Sequence, residues 1–210
     1  MGFFDIFKKK TKTSVPLEEQ LRTLADLGIR PKHGDFIKWI CDEWGKEAVE
    51  SDPYNLMLFS LGRERERNGS WEHLSDDIYC FDTECVENED IYQTILERLA
   101  ILSKGVFNIA NVHSVVNHDE QKASVSFTYN GTDHQWNLKY DDDWFDSDVI
   151  NRINHLLKEN GSANYFCTCL PDQNLIVVFE TQGTLEKLNR LTTVPFRLGV
   201  SNTEVAKYKH

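Results

Sequence analysis

The chain has 210 residues, with 23 Lys and Arg against 34 Asp and Glu and a formal net charge of −11. A nucleic-acid binder needs a basic footprint for phosphate, so no nucleic-acid partner is expected. With 40% hydrophobic residues, 11 Gly, 5 Pro and 5 Cys, collagen-like, disulfide-scaffold and disordered classes are excluded too.

Four segments divide the chain: a tail over 1–14, a mostly helical region over 15–75, an α+β domain over 76–195 and a second tail over 196–210. The first tail carries four Lys and one Asp. Taking its +3 from the whole leaves the body at −14. Phe3, Phe4 and Phe7 beside Lys8, Lys9 and Lys10 form an apolar-cationic cluster. Such a cluster suits weak contact of residues 1–10 with an anionic membrane surface. The plainer reading is a short docking or frayed terminus. Residues 1–10 hold no long apolar run, and no 18-residue apolar stretch occurs anywhere. A cytoplasmic protein with reduced cysteines is the expectation.

Leu17, Leu21, Leu24 and Leu27 form one helical stripe over 16–27, stopped by Gly28. Phe36, Ile37, Ile40 and Trp44 predict a second helix, capped by Asp35. For 54–61 periodicity does not separate a strand from a short helix. The alternating signs of Arg63–Arg67 read as a solvated segment, and Asn68-Gly69 reads as a turn. A short strand is expected over 78–83. Asn88 is the expected cap of a helix whose stripe is Ile91, Ile95, Leu99 and Leu102.

Two hairpins follow. Residues 107–117 are β-rich. Then Ala123, Val125, Phe127 and Tyr129 alternate with Ser124, Ser126 and Thr128. Asn130-Gly131 signals a two-residue type I′ turn. That turn fixes a register of Phe127 opposite His134, Val125 opposite Trp136 and Ala123 opposite Leu138. Asp146 or Ser147 caps a helix built on Val149, Ile150, Ile153, Leu156 and Leu157. Strands over 164–169 and 174–179 make the second hairpin, and 184–191 a last helix. The expected fold class is α+β: a five-stranded antiparallel meander-type sheet with packed helices, preceded by a small helical region.

The α-β-β-β-α-β-β-α order over residues 88–191, in an acidic chain, resembles the type III secretion chaperone fold. The resemblance rests on element order alone. It implies a bacterial, cytoplasmic protein that binds extended partner segments and forms a homodimer. Immunity proteins that block a toxin share the same compact acidic layout.

The sequence holds no Gly-x-Ser-x-Gly, phosphate-loop or His-Glu-x-x-His motif. No catalytic residue, cofactor or metal site is therefore expected. Cys167 and Cys169 put two thiols on one side of a strand, which reads as small buried residues rather than a zinc half-site. Residues 72–97 hold nine acids and no Lys or Arg, and 141–148 hold five. Numbering a calcium loop from Asp141 puts Asp146 where Gly is needed and Arg152 where Glu is needed, so no EF-hand forms. The expected function is non-catalytic binding of another protein, through an acidic surface that takes a basic or extended segment. Its candidate residues are Trp71, Glu72, Asp76, Asp77, Asp82, Glu84, Glu87, Asp141, Asp142 and Asp143. The rival is a metal-dependent hydrolase using His118, Asp119 and the 141–148 cluster.

Overall fold

The computed structural model describes residues 14–200 and 205–208. Four helices come first: α1 (Leu17–Asp26), α2 (Phe36–Trp44), α3 (Lys46–Ser51) and α4 (Asn55–Leu61). A hairpin of β1 (Glu64–Arg67) and β2 (Ser70–His73) leads to β3 (Ile78–Asp82) and α5 (Ile91–Leu102). Then come β4 (Ile109–Asn117), β5 (Lys122–Tyr129), β6 (Thr132–Leu138) and α6 (Asp148–Glu159). The chain closes with β7 (Tyr165–Cys169), β8 (Asn174–Glu180), α7 (Gln182–Asn189) and β9 (Arg197–Leu198). The protein is α+β, and all its paired strands run antiparallel.

The strands do not join in one five-stranded meander. They form a two-stranded sheet β1-β2, a three-stranded sheet β4-β5-β6 and a four-stranded sheet ordered β3-β8-β7-β9. The cause lies in β8. Its residues Leu175 to Phe179 are all buried, so the strand needs cover on both faces and pairing on both edges. β3 and β7 supply the edges. One face, with Tyr79, Phe166, Leu175, Val177 and Phe179, packs into a core shared with α5, α6 and the inner side of β4-β5-β6. The other face, with Ile78, Cys80, Cys167, Cys169, Ile176 and Val178, packs under α1 to α4 and α7.

The Asn130-Gly131 turn has φ of 49° and 76°, and the expected β5–β6 register is observed. Asn68-Gly69 makes the same kind of turn, with φ of 53° and 82°. The alternating 63–67 segment is therefore a strand and not a solvated loop. Period two sends Arg65 and Arg67 to one face, where both meet Asp35, the residue just before α2. Asp35 is thus occupied by arginines and makes no side-chain cap bond. Asn88 does not cap α5 either, since the helix starts at Ile91. Ser114 of β4 serves that end, its hydroxyl accepting from Gln93 N at 3.3 Å and donating to Glu89 O at 2.8 Å.

In α1 the buried residues are Leu17, Gln20 and Leu24. Gln20 Nε2 donates to Val15 O at 2.7 Å and to Val49 O at 3.2 Å. Its Oε1 accepts from Tyr54 N at 2.8 Å. This fully buried amide therefore ties α1, α3 and α4 together.

Candidate functional site

The two acidic stretches meet in space. Glu84 and Trp144 form an antiparallel backbone bridge. Phe145 N donates to Thr83 O, and Val86 N to Asp143 O, each at 2.7 Å. The chain at 83–86 thus runs against the chain at 143–145. Asp82, Glu84 and Glu87 are brought beside Asp141, Asp142 and Asp143. Glu84, Glu87 and Asp142 are exposed, and Asp82, Asp141 and Asp143 are half-buried.

Phe145 anchors this arrangement from below. It is buried, stacks on Tyr92 at 5.3 Å and meets the Phe81 ring edge-on at 5.2 Å. Gln173 organises the acids above. Its Nε2 donates to Asp82 at 2.8 Å and to Glu84 at 3.4 Å. An amide holds these carboxylates in place without neutralising them. Lys139 pairs with Asp141 at 2.9 Å.

The thiol of Cys85 sits inside the patch. Burial pushes it up to about 12, and the charges of Asp82, Glu87 and Asp143 add to the shift. A thiolate nucleophile is disfavoured there by both causes. Burial also raises the Tyr140 hydroxyl, with Asp142 and Asp143 adding to it. Beside the patch lies a cleft of about 150 Å³ lined by Lys139, Asp141, Phe145, Asp146, Ser147 and Val205.

Other acids in the 72–97 stretch have different partners. Glu72 meets His33 at 3.2 Å and Arg67 at 3.4 Å. Asp76 meets Lys32 and Arg98, both at 2.8 Å. Burial lifts the Asp76 carboxyl, but its bonds to those two cations outweigh that, and the net shift is downward. Asp77 meets Lys104 at 2.7 Å. The stretch lacks cations in sequence, yet the fold delivers them from α2's approach, β1 and α5. Trp71 stands on the β1–β2 hairpin and is 71% exposed.

His118 and Asp119 lie in the exposed β4–β5 turn. His118 Nδ1 is 3.0 Å from the Tyr140 hydroxyl. Asp146 faces inward, accepting from Lys139 N at 2.9 Å and from Asp148 N at 3.2 Å. Asp148 pairs with Arg152 at 2.8 Å. Two acids of the 141–148 cluster thus fix the strand-to-helix turn rather than line a site with His118. Among the described residues, no group of three or more His, Cys, Asp and Glu is placed to hold a metal ion. Phe3, Phe4, Phe7, Lys8, Lys9 and Lys10 lie outside the described residues.

Cys80, Cys167 and Cys169 are buried on the helix-covered face of the central sheet. Burial holds the Cys167 thiol up at about 12. None of the five cysteines is in a disulfide. No helix among the described residues is long and apolar enough to cross a membrane. No family model, curated protein or solved structure matches the chain.

Gln173 and Tyr140 belong to the acidic site but carry no sequence signal for it. Gln173 lies 91 residues from Asp82 and reaches it only through β3–β8 pairing.

Proposed function

We propose that the protein is a non-catalytic binding module, of chaperone-like or immunity-like type, for a basic or extended segment of another protein. The carrying observation is the Glu84–Trp144 bridge, which merges two acidic stretches about sixty residues apart into one patch. An amide rather than a cation pins Asp82 and Glu84, so the patch keeps its charge for a partner.

Charge of this kind speeds encounter and selects partners more than it adds affinity. Isothermal titration of a Lys-rich peptide tests the reading at low and high salt. The expected result is salt-sensitive binding that Asp142→Asn with Asp143→Asn weakens by about tenfold, roughly 1.4 kcal/mol. Equal affinity for both proteins counts against it.

A further inference from the structure

The sheet β4-β5-β6 ends on β6 with its bonding edge open. The two-residue turn at Asn130-Gly131 makes Tyr129 and Thr132 a pair that exchanges both backbone bonds. Alternation gives the same role to Phe127 with His134, Val125 with Trp136 and Ala123 with Leu138. Asp133, Gln135 and Asn137 therefore turn their N–H and C=O groups away from β5. Arg152 of α6 agrees with this direction, its Nη1 donating to Asn137 O at 3.0 Å. Apart from that bond, these backbone groups have no partner among the described residues. Sheet edges are commonly guarded by bulges, prolines or lysines. At the opposite edge, β4 carries a bulge between Ala110 and His113. β6 has no bulge, proline or lysine and a single acid, Asp133.

Helix α6 runs beneath this edge. Arg152 reaches Asn137 at one end, and at the other Asn160 Oδ1 accepts from Asn130 Nδ2 at 2.9 Å. Leu156 lies midway on the same helical stripe and is half-buried. Trp136 and His134 share the inner side of β6, packed on the Phe127 ring at 4.9 and 5.2 Å, and both are half-buried. A seam of aromatic and aliphatic groups thus follows the open edge.

The edge is complementary to itself. With a second β6 laid antiparallel about a twofold axis at Gln135, Asp133 meets the partner's Asn137 and Gln135 meets the partner's Gln135. All three outward residues are then bonded in each copy. An axis at Trp136 pairs Asp133 with the partner's Lys139, whose N–H already donates to Asp146. An axis at His134 pairs Asn137 with the partner's Gly131, inside the turn. The Gln135 axis also sets His134 across from the partner's Trp136 in the closer, non-bonded pairs, where side chains touch. No like charges face each other. Asp133 has no ion pair among the described residues and bonds the Thr128 hydroxyl at 2.7 Å. It comes to the end of the partner strand where Arg152 lies. An unrelated extended segment gains the backbone bonds alone, whereas a second copy adds the aromatic and charge pairs.

We propose that two copies of this chain pair through β6 about a twofold axis at Gln135, joining their three-stranded sheets into one. The paired residues, Asp133 to Asn137, share no member with the acidic patch around Glu84. The inference therefore stands or falls independently of the partner-binding reading.

Sedimentation of the full-length chain, from dilute solution to the millimolar range, tests it. The expected wild type is a monomer–dimer equilibrium, with hydrogen exchange at the Asp133, Gln135 and Asn137 amides slowing as concentration rises. Gln135 is exposed, so its side chain can be changed without disturbing the core. Gln135→Glu and Gln135→Lys each set like charges against one another at the axis, and each is expected to weaken dimerisation by about tenfold or more. An equimolar mixture of the two variants is expected to dimerise again, and unchanged urea midpoints of the dilute variants report an intact fold. A wild type that stays monomeric throughout overturns the proposal. So does a dimer that neither Gln135 variant weakens, or a mixture that dimerises no better than its components. A monomer whose β6 amides shift only on addition of a Lys-rich peptide also overturns it, because the edge then takes a different occupant.

Discussion

Gly62 lies directly against Cys80: its carbonyl accepts from Cys80 N at 2.8 Å, and a methyl group on it would sit 2.7 Å from Cys80 Cβ. The same methyl would lie 2.9 Å from Cys80 N, so backbone as well as side chain must yield. The contact joins the end of α4 to β3 at the point where the hairpin starts. Its φ of −74° is ordinary, so space alone demands glycine here. Gly62→Ala is expected to lower stability by about 1–3 kcal/mol, read from the urea midpoint at unchanged m.

Gln20 governs the helical layer. Gln20→Leu keeps the volume but strands the buried Val49 carbonyl, the half-buried Val15 carbonyl and the Tyr54 amide. Tyr54 has φ of 69°, a conformation a bulky residue holds only when its neighbours enforce it. Loss of about 3 kcal/mol is expected, because each unsatisfied buried group costs about 1–3 kcal/mol. Chemical denaturation measures the loss. A shift of the Tyr54 amide resonance separates this cause from simple repacking.

Asp35 is the acid-labile latch of the hairpin. Its hydrogen bond to Arg65, aided by Arg67, holds its carboxyl at about 2, below the ordinary 3.8. A depressed carboxyl contributes stability that is complete above the ordinary value and is lost as pH falls through the folded one. The latch is therefore expected to release between pH 3.8 and about 2. Trp39 fluorescence reports it, because Arg65 lies over that ring. In Asp35→Asn this acid step disappears and the hairpin is already loosened at neutral pH.

His73 acts in a milder range. Burial lowers it to about 4, and the charges of Arg98 and Lys32 push the same way. Between its ordinary 6.5 and about 4 the unfolded chain binds a proton that the folded one refuses. Stability thus falls as pH drops through that window. The full shift corresponds to about 3 kcal/mol, and solvent around the half-buried ring reduces it to the order of 1–2 kcal/mol. Urea midpoints at pH 7 and pH 4.5 give the difference, and His73→Phe is expected to shrink it.

Much of the fold is written in local signals. Asn130-Gly131 specifies the β5–β6 register residue by residue, and the stripes of α5 and α6 place those helices. Where competition is decided at long range, local pattern fails. The run 64–67 is a strand because it pairs with 70–73 across the Asn68-Gly69 turn, and the charges of its Arg65 and Arg67 are neutralised by Asp35, about thirty residues earlier. Gln20 carries no local signal for its role, because its partners Val49 and Tyr54 come from α3 and the start of α4. The candidate site follows the same logic. Its carboxylates are visible as two runs in sequence, but their union rests on the contact between 83–86 and 143–145. The pairing of Glu72, Asp76 and Asp77 with distant cations is equally hidden.

Strand β8 divides the interior without separating it. Val177 belongs to the core with α5 and α6, while its neighbour Val178 belongs to the core under the N-terminal helices. One strand's backbone bonds therefore serve both sides at once. If those bonds break, each side loses its wall, so the two halves melt together rather than in turn. Two adjacent valines become reporters for opposite ends of the molecule, and a displacement of the helical layer is felt by the other half across the thickness of a single strand.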